Sequence, residues 1–157
     1  METNIGINQE NRNHVASAMA VMLADVFVLY TKTRNAHWNV EGPDFHSMHK
    51  FFEEQYEQLD EIIDDIAERM RSLGHYAPAR LRDYQGLTRL SEETRDNNDS
   101  HGFIRELLVD HDSIIIHLRE NINRFANEFH DLGTSDFITE LMEVHEKMAW
   151  MLRAHLK

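Results

Sequence analysis

The sequence predicts an all-α protein built as a four-helix bundle. Three observations carry that expectation. Only two prolines and six glycines interrupt 157 residues, and long stretches rich in Ala, Leu, Met, Glu and Arg favour helix. Apolar residues recur at helical spacing in four long segments. Two short links and one long one join those segments, which suits two antiparallel hairpins with a crossover between them. The length suits one domain with a core of its own. Residues 1–157 are read as that single domain, with 1–8 as a flexible N-terminal tail.

The first helix is expected from about Gln9 to His37, with Val15, Met19, Met22, Val26 and Tyr30 on its apolar stripe. Asn39 to Gly42 is a break. Pro43 suits the first turn of the second helix and Asp44 its positive end. That helix runs to about Leu73 on a stripe of Met48, Phe52, Tyr56, Leu59, Ile63, Ile66 and Met70, and Gly74 ends it. His75 to Ser100 is irregular, with Pro78, Gly86 and the polar run Ser91–Ser100; a connection so long should hold a short helix near Leu81–Leu87. The third helix is expected from Gly102 to Leu132, with Ile104, Leu108, His111, Ile115, Leu118, Ile122, Phe125 and Phe129 inside and Gly133 as its stop. Thr134 or Ser135 would cap the fourth helix, with Asp136 in its first turn and Leu141, Val144, Met148 and Met151 inside. This hairpin–crossover–hairpin order is the ferritin-like topology.

Composition narrows the function. No uninterrupted apolar run approaches the roughly 18 residues of a membrane span, so no membrane association is expected. The polar start, Met1 to His14, lacks a secretion signal pattern. The absence of cysteine removes disulfides and thiolate metal sites and fits the cytoplasm. A net charge of −12 favours cations and opposes unaided binding to nucleic acid. Neither a Glu-x-x-His pair, a His-Glu-x-x-His run, a phosphate-cradling glycine loop nor a serine elbow is present.

The stretch from His49 to Glu68 carries the most chemistry. His49/Glu53 and Asp64/Glu68 are each spaced i, i+4, so each pair shares a helix face. Eleven residues, about three turns, separate the pairs, so all four side chains fall on one stripe. Glu53 and Asp64 are nevertheless about 16 Å apart along the axis. One copy of the helix cannot bring both pairs to one metal. A second, antiparallel copy can, giving an imidazole/carboxylate site of the kind that suits iron across a twofold dimer. Spacing alone favours a solvated acidic face over a metal site. His37 alone favours a core or boundary position on the first helix. With eleven histidines in the chain, His46, His111, His117, His130, His145 and His155 carry little weight singly.

Longer motifs alter that balance. His37-Trp38-Asn39, Gly42-Pro43-Asp44-Phe45 and His46-Ser47-Met48-His49 are followed by Asp64-Asp65-Ile66-Ala67-Glu68-Arg69 and Leu73-Gly74. Thr134-Ser135-Asp136 and Lys147-Met148-Ala149-Trp150-Met151-Leu152 complete the series. Together they resemble the Dps family, the ferritin-like mini-cages named for DNA protection in starved cells, over nearly the whole chain and in the same order.

The resemblance implies a ferroxidase and iron store. Its ligands would be His37, His49 and Glu53 of one subunit with the partner subunit's Asp64 and Glu68. Many family members carry Asp where this chain has Glu53, a longer side chain that still ends in a hard oxygen ligand. The resemblance implies Fe2+ as the ion bound and Fe3+ as the product, with hydrogen peroxide, or sometimes dioxygen, as oxidant. It also implies a homo-dodecameric shell in which ferric mineral collects. Asp131, Asp136 and Glu140 are the nearest matches to an acidic threefold pore, although Asp136 also suits a helix N-terminus unaided. Trp38 resembles an aromatic residue that scavenges oxidising equivalents, and it equally suits packing at the dimer interface. Two other readings stay open: a DNA-binding nucleoid protein, which would need a basic arm that neither end supplies, and a ferritin-fold interaction protein without ferroxidase activity. DNA binding is expected to be weak or absent near neutral pH.

Overall fold

The computed structural model describes residues 3–157. Five α-helices form in chain order: α1 (Gln9–Asn39), α2 (Phe45–Ser72), α3 (Leu81–Leu87), α4 (Ser100–Asn123) and α5 (Leu132–Ala154), with a π-helical turn at Arg124–Glu128 extending α4. Helix α1 packs along α2 and α4 along α5, and α1 also meets α3 and α4. This is the expected four-helix bundle with a short helix in the crossover. Of the expected N-terminal tail, Met1 and Glu2 lie outside the described residues. Thr3 comes against Gly74, Arg12 donates to the Ile7 carbonyl, and the Asn8 side chain caps α1 by accepting from the Asn11 N–H at 2.8 Å.

Helix α1 differs from expectation in one respect. It contains a window of 18 residues apolar enough to cross a bilayer, which uninterrupted runs did not reveal. Half of that window is buried inside the bundle, and it includes Asp25, which is buried and ion-paired to Arg89 at 2.7 Å. Those are the properties of a core helix.

The α1–α2 link is short because Gly42 adopts φ +128° and the Glu41 N–H bonds the Asn98 carbonyl at 2.9 Å. Pro43 stands before the cap residue Asp44, two positions ahead of the first helical residue, and so outside the first turn expected for it. At the other end, Gly74 (φ +86°) donates to Arg71 and His75 donates to Met70, satisfying carbonyls that the helix leaves open.

The crossover is pinned by buried charge. Asp25 accepts from Thr88 and Arg89, Glu106 accepts from Thr94 and Arg95, and Lys32 bonds both the Ser91 carbonyl and Asp110. Buried charges persist only when paired, so the polar run 91–100 is tied to α1 and α4.

The second hairpin turns differently from expectation. Helix α4 begins at Ser100, capped by Asp99, and gives way to the π-helical turn and then to His130 at φ +56°. Gly133 lies inside α5 and does not stop α4. The cap of α5 is Asp131, not Thr134 or Ser135: its carboxylate accepts from the Thr134 N–H at 2.9 Å and from the Thr134 hydroxyl. Arg69 from α2 donates to Thr134 Oγ1 at 2.9 Å and lies 3.5 Å from Asp131. The fourth apolar stripe is also rotated, so that Val144 is exposed and His145 takes the interior position.

Candidate metal centre

The end of α1 and the start of α2 bring His37 and His49 face to face. Their rings stack with centroids 3.8 Å apart and planes 19° from parallel. His37 Nδ1 lies 2.8 Å from the His49 carbonyl, and His49 Nδ1 lies 2.7 Å from the His37 carbonyl. A carbonyl only accepts, so each Nδ1 carries the proton and donates. In the neutral ring each Nε2 then keeps a free lone pair, the arrangement by which a second partner orients a metal-binding imidazole. His37 is 8% exposed and His49 is half-buried.

Glu53 is half-buried one turn beyond His49 and accepts from Lys50 Nζ at 2.7 Å. That hydrogen bond, with the Lys50 charge and the neighbouring His37 and His49, holds the Glu53 carboxyl below its usual range; burial opposes the shift. Asp64 and Glu68 are exposed further along α2. Among the described residues, no group of three or more His, Asp or Glu side chains converges within one chain to hold a metal. The structure therefore pairs His37 with His49 and leaves Asp64 and Glu68 apart from them.

Other expected residues fall into two groups. Asp136 and Glu140 are exposed one turn apart on α5, and Asp136 borders a surface hollow with Leu132 and Thr139. Asp131 is 1% exposed and occupied as the α5 cap, which removes it as a free pore carboxylate. Trp38 is 63% exposed beside His37, with the Arg34 guanidinium 5.1 Å from its ring centre. The same guanidinium lies 4.4 Å from Tyr56, whose ring meets His37 edge-on at 5.2 Å. Sequence reasoning did not single out Arg34, Lys50 or the two Nδ1–carbonyl bonds. The His-x₁₁-His spacing could have suggested the stacked pair, because it spans one tight helix–helix turn.

Comparison with known proteins agrees with this fold. Residues 17–157 match the ferritin-like domain model. The chain is 43% identical to an uncharacterized low temperature-induced protein of Nostoc sp. over 98% of its own length and 86% of the relative's. It is 37% identical to the DNA protection during starvation protein of Helicobacter pylori, over 85% of this chain and 92% of that one. The solved Dps structure from Vibrio cholerae O1, described as a member of a superfamily of ferritin-like diiron-carboxylate proteins, superposes with a TM-score of 0.92 at 32% identity, covering 100% of this chain and 98% of that chain. The four-helix bundle is thus shared along nearly the whole chain, and the protein belongs to the Dps family.

Proposed function

We propose that this chain is a ferroxidase and iron store that oxidises Fe2+ with hydrogen peroxide, or with dioxygen, in a hollow homo-dodecamer. The observation that carries this reading is the reciprocal pair of Nδ1–carbonyl bonds, which holds two imidazoles with their Nε2 atoms free to bind metal. Glu53 of the same chain and the partner subunit's Asp64 and Glu68 would complete the centre, since one chain alone leaves it open. Oxygen and imidazole ligands suit iron, and the carboxylates favour the ferric product by charge.

Each of two ferrous ions gives up one electron. Peroxide takes both, its O–O bond breaks, and the resulting hydroxides pass to ferric iron. Taking the electrons in pairs avoids releasing hydroxyl radical. Ferric ions then move to the interior and mineralise on acidic groups, with Asp136 and Glu140 the exposed candidates for an entry route. Protection would come from removing iron and peroxide, because a chain of net charge −12 repels DNA at long range. The cytoplasm is the compartment this role calls for.

Mixing two inactive variants tests the shared site. In His37→Ala and Asp64→Ala homodimers, every site carries one defect. In a mixed dimer one site carries both defects and the other none, so ferrous oxidation returns in part. A mixture that stays as inactive as its parents, with mixed dimers confirmed, would sink the intersubunit assignment. Light scattering should give about twelve times the chain mass of 18.5 kDa.

A further inference from the structure

Three polar side chains share the interior of the bundle. Gln55 on α2 is 2% exposed, and His111 on α4 and His145 on α5 are fully buried. Each ends in an atom with no hydrogen-bond partner among the described residues: Gln55 Oε1, His111 Nε2 and His145 Nε2. The Gln55 amide nitrogen lies 3.4 Å from the Met148 carbonyl. A carbonyl only accepts, so the nitrogen must face Met148 and the amide oxygen turns elsewhere. Met148 follows His145 on the same face of α5, about one helical turn on. Gln55 therefore reaches α5 within a turn of the His145 ring.

We propose that an internal water bridges Gln55 Oε1 and His145 Nε2, and that His145 is the ring protonated at Nε2. The water accepts from the His145 Nε2–H and donates to the Gln55 oxygen. His111 then donates through Nδ1 to His145 Nδ1, 3.0 Å away, and keeps a lone pair at Nε2. Helices α2 and α5 meet through few residues, so the water and the Gln55–Met148 bond join the two hairpins where direct packing is sparse.

The supply of donors and acceptors selects both the ligand and the tautomer. Burial holds both rings neutral by pushing their pKa values down. At the Nδ1–Nδ1 contact one ring must donate and the other accept. The accepting ring carries its proton at Nε2, and the donating ring has a lone pair there. The three unbonded atoms are therefore one N–H and two acceptors. The Nδ1 atoms face each other, so the two Nε2 atoms point apart and cannot share one small ligand. A bare buried N–H is a rarer orphan than a bare acceptor. The proton therefore belongs on the ring with an acceptor in reach, which is His145. Its ligand must accept from nitrogen, donate to oxygen, bring no charge into the core and fit within about one helical turn. Water does all of these. A metal ion cannot accept a hydrogen bond, and among the described residues no third His, Asp or Glu converges on the pair.

Neutron diffraction from crystals of the full oligomer at neutral pH tests this. A water is expected within about 2.7–3.2 Å of both Gln55 Oε1 and His145 Nε2, with a deuteron on His145 Nε2 and another on His111 Nδ1. In solution, oxygen-17 relaxation dispersion counts long-lived internal waters. Gln55→Met keeps the side-chain length and removes the amide, and it should lose one such water per chain. If that variant fails to assemble, the neutron map of the native protein decides alone. A map with no water between the two atoms overturns the proposal, as does a deuteron on His145 Nδ1 with none on Nε2. Anomalous X-ray scattering from an atom about 2.0–2.1 Å from either Nε2 shows a metal in place of water and overturns it equally. An unchanged count of long-lived waters in a folded Gln55→Met oligomer overturns the bridge through Gln55.

Discussion

Each hairpin of this bundle holds a histidine pair, and the two pairs are built in opposite ways. At the α1–α2 turn, His37 and His49 donate through Nδ1 to backbone carbonyls and leave their Nε2 atoms unspent. Between α4 and α5, His111 and His145 are fully buried with their Nδ1 atoms 3.0 Å apart, and both Nε2 atoms lack a partner. In that core pair one ring must donate and the other accept, so the rings hold different tautomers and share a single proton. Backbone acceptors thus make one pair available to a metal, while mutual bonding confines the other to packing. The hydrogen-bond partner of Nδ1 separates the two roles, and residue type does not.

The largest effect expected from this contrast is on ferrous oxidation. If the proposed centre is right, His49→Ala should remove most of the stopped-flow oxidation signal, since it takes away a proposed ligand and the Nδ1–H that bonds the His37 carbonyl. Metal-ion orienting contacts alone are typically worth 10–100-fold. His145→Leu should leave the rate per folded oligomer close to native. Equal losses in the two variants would dissolve the distinction between the pairs.

Stability should reverse that ranking. His111→Leu alone leaves the His145 Nδ1 buried without its partner, a cost of about 1–3 kcal/mol. His145→Leu does the same to His111. Replacing both by leucine removes the buried polar atoms together, so the double variant should lose less than the sum of the single losses. A double-mutant cycle in chemical denaturation, at fixed protein concentration, reads this coupling. Simple additivity would mean that the Nδ1–Nδ1 contact contributes nothing.

The same pair sets a pH dependence. Burial pushes His145 down to about 4, and burial with the neighbouring His145 pushes His111 well below 6.5. The unfolded chain therefore binds these protons first. Their contribution is present above about 6.5 and is lost as pH falls towards 4, on the order of 3 kcal/mol for His145 alone. Asp110 opposes this. Burial raises it to about 6, against the lowering influence of Lys32. The folded state then takes its proton first, which adds stability as pH falls from 6 towards 3.8. In the His111→Leu/His145→Leu variant the Asp110 effect is opposed by the lowered Glu53 and His117, and the two largest opposing shifts are gone, so the loss of stability between pH 6 and 4 should become much shallower.

Local patterns made the helices legible, and tertiary partners decided what was not. The Leu81–Leu87 helix and the Gly74 stop follow from spacing and backbone rules, whereas the pairing of His37 with His49 came from the family resemblance. The α4–α5 turn did not, because a π-helical turn and a left-handed His130 end α4 before Gly133 is reached. Asp131 looked like a pore carboxylate because nothing local shows that Arg69, 62 positions earlier by its number, reaches across to clamp the α5 cap. His111 was placed on the right stripe, but His145 was displaced by Val144, an apolar residue that better fits a simple hydrophobic pattern. Half of the proposed metal centre was legible as chemistry, since i, i+4 pairs fix which side chains share a face. The carbonyl bonds that free each Nε2 depend on how two helices meet, which periodicity does not encode.

The smallest expected effect concerns what the surface pair's neighbour does before metal arrives. Glu53 is bonded to Lys50 at 2.7 Å, so metal binding at the proposed centre would have to replace an ammonium at the carboxylate. Both side chains reach solvent, where such pairs contribute little to stability, typically 0–1 kcal/mol. Lys50→Gln should therefore leave the unfolding midpoint nearly unchanged. It removes the leading influences that hold the Glu53 carboxyl below its usual range, so proton affinity there should rise while competition from the ammonium disappears. At neutral pH the carboxylate stays ionised, and loss of the competitor should dominate. Anaerobic titration with ferrous ion, or with a redox-inert divalent ion, should show modestly tighter binding. Weaker binding in Lys50→Gln would mean that Lys50 orients Glu53 towards the metal and does not block it.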